Sequence, residues 1–138
     1  MTIKDKTKTK KMHCSEDVVD IFKSILQSES EVDQDKEHFW VIGLNTKNTI
    51  KFIELVSLGS LSSSLVHPRE TYRLACIKAV ASIVAVHNHP SGDPAPSQDD
   101  REITQRLKQA GDILGIRFLD HIIIGETSHF SFVDQKML

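Results

Sequence analysis

One stretch, residues 82–114, constrains the fold more than any other part of the chain. It opens with the apolar run Ser82–Val86, whose length and β-branched residues are typical of a buried strand. A loop rich in Pro and Gly follows, and Ser97–Leu114 then carries apolar residues at helical spacing. Strand, stiff loop and helix together predict an α/β unit, with functional groups gathered where the strand ends.

Metal-binding side chains stand at that strand end. His87 and His89 are two residues apart, so on an extended chain both imidazoles point to the same side. Two ordinary histidines beside a turn could also show this H-x-H spacing. Asp100 adds a carboxylate, which favours a metal site. Two imidazoles and one carboxylate are a ligand set typical of a catalytic zinc ion that keeps one position for water. We therefore predict a Zn²⁺ site formed by His87, His89 and Asp100.

Ser97 and Asp100 also read as a helix start. Ser97 is a favoured N-cap residue, and an acidic residue three positions later completes a capping box. The helix dipole favours an ionised carboxylate in this first turn, which keeps Asp100 ready to bind a metal ion. The capping and ligating interpretations are therefore compatible, because a helix that begins here fixes where the carboxylate lies.

A hydrolytic metal site also needs a proton acceptor that does not bind the metal. The candidate is Glu54, an acidic residue inside the otherwise apolar segment Phe52–Leu58. An outward-facing charge on a strand is the alternative interpretation. Glu70 competes for the role, but His67 and Pro68 precede it as a helix start, where a first-turn glutamate needs no catalytic reason.

The remaining elements predict an α/β fold, specifically a three-layer α/β/α sandwich with a mixed β-sheet. Residues 1–13 are expected to be a disordered basic tail, and residues 14–138 a single domain. Loops are expected at Ser28–Lys36 and Gly59–Val66. The other predicted elements are a helix from Ser15, strands at Glu37–Leu44 and Thr49–Leu58, a helix at Arg69–Ala81, and strands at Ile116–Ile124 and His129–Val133.

Charge and cysteine content restrict the partners and the compartment. The chain carries 17 basic and 19 acidic side chains; without the five lysines and one aspartate of residues 1–11 it stands at −6. Such a body does not favour nucleic-acid binding, although the lysine tail leaves weak association open. No apolar run approaches the roughly 20 residues that span a bilayer. Cys14 and Cys76 form no metal or disulfide pattern, which is typical of a cytoplasmic protein.

Together these residues resemble the JAB/MPN-plus (JAMM) zinc metalloprotease family, and within it the RadC-like branch. The resemblance covers roughly residues 15–135. It implies a cytidine-deaminase-like α/β fold, zinc on His87, His89 and Asp100, Glu54 as general acid/base, and Ser97 helping to hold the oxyanion. The residues that carry it are Glu54, His67–Glu70, His87–Asp93, Pro96, Ser97, Asp100 and Leu119–Gly125.

The predicted function is zinc-dependent cleavage of an amide bond, as in a metallopeptidase or isopeptidase, with a peptide or isopeptide-type substrate. A nucleobase deaminase of related fold would show H-x-E and P-C-x-x-C, and neither motif is present. A DNA-repair-associated or non-catalytic metal-binding module stays as the alternative. Longer RadC-like proteins carry a helix-hairpin-helix-like domain ahead of the JAB domain, whereas a lysine tail and one helix precede it here.

Several polar residues keep two interpretations. Asp120 and His121 either orient a metal ligand or form a satisfied polar pair on a strand. His67 and Arg69 either border the site or serve the local structure, with Arg69 paired to an acidic side chain. Phe39 and Trp40 are expected in the core. The sequence predicts neither the identity of the substrate nor the oligomeric state.

Overall fold

The computed structural model of the protein describes residues 11–59 and 66–138. Four helices and five strands lie in these ranges. In chain order they are α1 (Ser15–Gln27), α2 (Glu31–Gln34), β1 (His38–Leu44), β2 (Ile50–Leu58), α3 (Pro68–Ile77), β3 (Ser82–Asn88), α4 (Gln98–Leu114), β4 (Arg117–Ile124) and β5 (His129–Ser131).

The strands form one mixed sheet in the order β2-β1-β3-β4-β5. β1 is antiparallel to both β2 and β3, and β5 is antiparallel to β4. Only β3 and β4 are parallel, and α4 is the crossover between them. This connection places the end of β3 beside the start of α4, the arrangement expected for a site at the carboxyl end of a strand.

Helices cover both faces of the sheet. On one face, Val18 and Phe22 of α1 pack against Trp40 and other buried residues of the central strands. On the opposite face, α3 and α4 contribute Tyr72 and Leu107 to a second buried cluster. The predicted three-layer α/β/α sandwich with a mixed sheet is therefore confirmed, and the fold agrees with the JAB/MPN type.

Some predicted elements differ from the structure for local reasons. The last strand, β5, ends at Ser131 instead of Val133, because the chain turns from Phe132 onward. α3 ends at Ile77 instead of Ala81, because Ala79 has a positive φ of 51° and the chain leaves the helix there. The predicted loop Ser28–Lys36 contains the short helix α2, which begins where the Ser30 side chain accepts a hydrogen bond from the Asp33 N–H at 3.2 Å. This helix buries no side chain, so its sequence has no apolar periodicity from which a helix could be predicted.

Parts of two predicted irregular segments lie outside the described residues, namely 1–10 of the tail and 60–65 of the loop after β2. Where the description begins, Lys11 forms a bridge with Thr49, and the Met12 N–H donates to the carbonyl of Asn48. Within the described ranges, no helix has the length and apolar character needed to cross a membrane.

Candidate metal centre

Three side chains converge where β3 ends and α4 begins. The Nε2 atoms of His87 and His89 are 3.0 Å apart. The Oδ1 of Asp100 is 3.2 Å from the first imidazole, and its Oδ2 is 3.1 Å from the second. His87 and Asp100 are buried and His89 is partly exposed, so the cluster opens to solvent on the His89 side.

The two histidines are positioned by a strand and by the loop that leaves it. His87 is a regular residue of β3, opposite Phe39 on one side and Ile123 on the other. The His89 N–H donates to the carbonyl of Ile124 at 2.9 Å, which extends the parallel pairing past the end of the strand. Both imidazoles are therefore fixed by the sheet backbone.

The loop turns back through Gly92, whose φ of +91° is poorly accessible to other residues. Its N–H donates to the carbonyl of His89, and its carbonyl accepts from the Glu126 N–H, both at 2.9 Å. Gly125 permits this contact, since a Cβ there would lie 2.4 Å from the Gly92 carbonyl oxygen. The loop is thus held against the β4–β5 turn and directs the chain toward α4.

A capping box positions Asp100. The Ser97 Oγ accepts from the Asp100 N–H at 3.1 Å, and the Asp100 Oδ2 accepts from the Ser97 N–H at 2.8 Å. The same carboxylate therefore caps the helix and faces the two imidazoles. Capping and convergence on the histidines are one geometry, as the spacing of the sequence indicates.

Hydrogen bonds set the protonation of this cluster. The Nδ1–H of His89 donates to the Asp93 carbonyl at 2.8 Å, which leaves its Nε2 lone pair directed at the cluster. Burial alone would raise the pKa of Asp100, but the adjacent imidazoles of His87 and His89 and the hydrogen bond from the Ser97 N–H outweigh it and hold that pKa well below its usual range. A proton on Nε2 would be shared with Asp100, and this pairing raises the pKa of His89.

This donor set fits a divalent metal ion. The Nε2 of His89 and the ionised Asp100 are 3.1 Å apart, so either a proton on Nε2 or a metal ion must lie between them. Tetrahedral zinc, with bonds of 2.0–2.1 Å to nitrogen or oxygen, spaces its ligand atoms about 3.3 Å apart. The observed spacing of 3.0–3.2 Å requires only a small opening. Among the described residues, His87, His89 and Asp100 form the group able to hold a metal ion.

Glu54 lies apart from this cluster but on the same face of the sheet. Its neighbours at alternate positions of β2, Phe52 and Val56, belong to the core beneath α3 and α4, and so do Ile83 and Ala85 of β3. Glu54 is buried, and its Oε2 is 3.5 Å from the guanidinium of Arg73. The structure thus places Glu54 on the same face of the sheet as His87 and pairs it with an arginine.

Residues for which the sequence left two interpretations have different contacts in the structure. The His121 ring contacts His87, Nε2 to Nδ1, at 2.7 Å. Asp120 instead accepts from the Ser131 hydroxyl and the Val133 N–H, which ties β4 to the chain after β5. Arg69 is exposed and pairs with Glu70 at 3.5 Å.

His67 has the backbone of an N-cap residue, and its carbonyl accepts from the N–H groups of Glu70 and Thr71. Phe39 and Trp40 are buried in the core, as expected.

Two residues that contact the candidate site residues were not predicted from the sequence, Thr104 beside Asp100 and Arg73 beside Glu54. Thr104 lies four residues after Asp100 on α4, beside the core residue Ile103, and is 4% exposed. A polar residue on the buried face of an amphipathic helix is the signal that identifies it. Arg73 carries no comparable signal, since one arginine on an exposed helix face is ordinary.

Comparison with known proteins decides the family. A family model described as "RadC-like JAB domain" matches residues 12–137. The chain belongs to the RadC-like JAB domain family. Among curated relatives, this JAB domain is 57% identical over 97 residues to a UPF0758 protein of Desulforudis audaxviator, covering 70% of the chain and 42% of that relative. It is 45% identical over 127 residues to the UPF0758 protein of Desulforamulus reducens, covering 92% and 54%.

The JAB domain thus spans about half the length of these relatives. The predicted RadC-like identity is confirmed. Family membership and the His-His-Asp cluster together support a JAB-type hydrolase at a coarse level, with a site able to bind a metal ion.

The affinity of the site for a metal ion should decrease as the pH falls, and the decrease should begin above the ordinary histidine pKa. The pKa of His89 is raised by its contact with Asp100, so a proton competes for Nε2 as the pH falls through that raised value. We expect the apparent Zn²⁺ affinity to decrease about tenfold per pH unit once His89 is protonated. Competition with a chromophoric chelator between about pH 6 and 8 measures it. An affinity that stays constant over this interval would contradict the assignment of His89.

Proposed function

We propose that this JAB domain is a zinc-dependent hydrolase that cleaves an amide bond in a peptide or isopeptide-type substrate. One observation carries the proposal: two imidazoles and one carboxylate converge within hydrogen-bonding distance. Structural zinc sites are closed by four protein ligands, whereas three ligands leave a position for chemistry. The two cysteines, which a structural site would favour, are both exposed.

Glu54 is the proposed general base. It pairs with Val41 of β1, which in turn pairs with Ala85 of β3, so Glu54 lies two strands from the strand that carries His87. At strand spacings near 4.8 Å, the backbones of β2 and β3 are about 10 Å apart, and His87 lies two residues further along β3 than Ala85 on the same face of the sheet. Glu54 takes a proton from water and returns it to the leaving amine.

Two further residues complete the proposed machinery. The Ser97 Oγ accepts from the Asp100 N–H, so its own hydrogen can be donated to an oxyanion. Arg73 holds the carboxylate of Glu54 at 3.5 Å in the absence of substrate. His87, His89 and Asp100 would hold the zinc ion, which would supply Lewis acidity at this site.

A groove of about 600 Å³ borders His89 between α1 and the β4–β5 turn. Lys23 and Leu26 line one side, and Gly125 and Glu126 line the other. The groove lies on the α1 side of the sheet, and its lining does not include His87, Asp100 or Glu54, so it exposes the His89 edge of the cluster and does not connect the cluster to Glu54.

The proposal is tested by removing and restoring the metal. Protein stripped with a chelator and reloaded with Zn²⁺ is assayed for amine release from peptides and from lysine ε-amide conjugates. We expect hydrolysis only by the reloaded protein, and we expect His89→Ala to lose both the bound metal and the hydrolysis. His13→Ala is the matched control, because His13 is exposed and outside the cluster.

Zinc binding by the wild-type protein without hydrolysis of either substrate class would overturn the hydrolase proposal and favour a non-catalytic metal-binding module. Full metal content in His89→Ala would overturn the ligand assignment itself.

A further inference from the structure

In addition to their direct contact, His87 and Asp100 are connected through His121 and Thr104 by three buried hydrogen bonds. The Nδ1 of His87 is 2.7 Å from the Nε2 of His121, and the Nδ1 of His121 is 2.6 Å from the Thr104 Oγ1. The Thr104 Oγ1 is in turn 2.7 Å from the carbonyl oxygen of Asp100. His87, His121 and Thr104 are all buried, so a missing partner is not readily replaced by solvent.

The donor and the acceptor in each of these hydrogen bonds can be assigned by starting from the bond between Thr104 and Asp100. A carbonyl oxygen only accepts, so Thr104 donates its single hydroxyl hydrogen to Asp100. The Thr104 oxygen can then only accept from His121, whose Nδ1 must carry a hydrogen. His121 is fully buried and forms no ion pair with a carboxylate among the described residues, so a charged ring would be costly there. With its one hydrogen on Nδ1, its Nε2 accepts from the Nδ1–H of His87.

We propose that Thr104 and His121 are positioning residues that select the His87 tautomer needed to bind a divalent metal ion. The proposal rests on the metal site proposed above. With its hydrogen held on Nδ1, His87 directs the Nε2 lone pair toward His89 and Asp100.

A competing tautomer explains why such a relay is needed. The Asp100 Oδ1 lies 3.2 Å from the Nε2 of His87 and is a strong acceptor for a hydrogen on that nitrogen. If His87 carried its hydrogen there, the bond to Asp100 would occupy the lone pair that a metal requires. The chain through His121 and Thr104 opposes this by offering an acceptor on the other side of the ring.

The Nδ1 atoms of the two candidate histidine ligands are therefore held by different kinds of hydrogen-bond partner. His89 is partly exposed and donates directly to one backbone carbonyl, that of Asp93. His87 is fully buried on a central strand, and its Nδ1 faces a side chain instead of a carbonyl. An imidazole partner can accept or donate, so a further group must fix its direction, and Thr104 does so.

The test replaces Thr104 by Val, which removes the hydroxyl and keeps the shape, and by Ser, which keeps the hydroxyl. Removing a group that orients a metal ligand reduces metal affinity about 10- to 100-fold. We expect a loss of this size for Thr104→Val in chelator competition with Zn²⁺, and an affinity within about twofold of wild type for Thr104→Ser. Circular dichroism and urea unfolding establish that both variants are folded.

A second readout requires neither metal nor hydrolysis. Long-range ¹⁵N–¹H spectra of the metal-free protein report which ring nitrogen of each histidine carries the hydrogen. We expect wild type and Thr104→Ser to show His87 protonated on Nδ1, and Thr104→Val to show a population protonated on Nε2.

A wild-type spectrum with the His87 hydrogen on Nε2 would overturn the relay even if Thr104→Val failed to fold. An unchanged metal affinity in folded Thr104→Val would also overturn it. Because neither readout uses substrate, failure of the relay is distinguishable from failure of the proposed hydrolase activity.

Discussion

Glu54→Gln is expected to leave the metal content of the domain unchanged while amide hydrolysis falls by about 10²–10⁴-fold. The substitution keeps the size of the side chain but removes its capacity to take a proton from water. His87, His89 and Asp100 converge without any contribution from Glu54, so metal binding should persist. Metal analysis and initial rates measured on the same preparation check both halves of the prediction.

Glu70→Gln provides the matched control. It is the same chemical change at an exposed glutamate in the first turn of α3, which pairs with Arg69 on the surface. We expect wild-type hydrolysis from this variant. If Glu54→Gln hydrolysed as fast as Glu70→Gln, Glu54 would not be the base.

Gly43→Ala should strongly destabilise the fold. Gly43 lies in β1 opposite Phe52 of β2, and the ring covers the space above the glycine. A Cβ at position 43 would lie 2.0 Å from Cε2 of that ring, and Phe52 is fully buried. The ring cannot move into solvent, so overpacking should lower the free energy of unfolding by about 3 kcal/mol. Urea denaturation with an unchanged m value measures this loss.

A double-mutant cycle separates this clash from any general intolerance of β1. In a Phe52→Leu background the flat ring is gone, and a methyl group at position 43 has space. The cost of Gly43→Ala should therefore shrink by at least about 1 kcal/mol in that background. Equal costs in the two backgrounds would exclude the ring as the cause.

Features that depend on neighbouring residues were predictable from the sequence. The run Ser82–Val86 predicted β3, and Ser97 with Asp100 predicted a helix start that the capping box confirms. The mixed sheet followed from the order of strands and helices. In each case the physical cause, either side-chain periodicity or a cap, acts over a few residues of chain.

Features that depend on tertiary contacts were not predictable in the same way. Thr104 and His121 lie 17 residues apart in sequence, and their hydrogen bond exists only because α4 packs on β4. The Glu54–Arg73 pair joins an edge strand to α3. No local pattern specifies that α3 approaches β2 at this point, so the partner of Glu54 could not be chosen from among the exposed basic residues.

The loop between His89 and Asp100 has a consequence for how folding and metal uptake are related. Backbone hydrogen bonds from His89 to Ile124 and from Glu126 to Gly92 already hold this loop closed, and the capping box secures its far end. Binding of a metal ion would therefore reduce the conformational entropy of this loop only slightly. In zinc fingers the free energy of metal binding is largely spent on folding the chain. Here the loop is already ordered by its own hydrogen bonds, so more of the free energy of binding a metal ion would remain available as affinity.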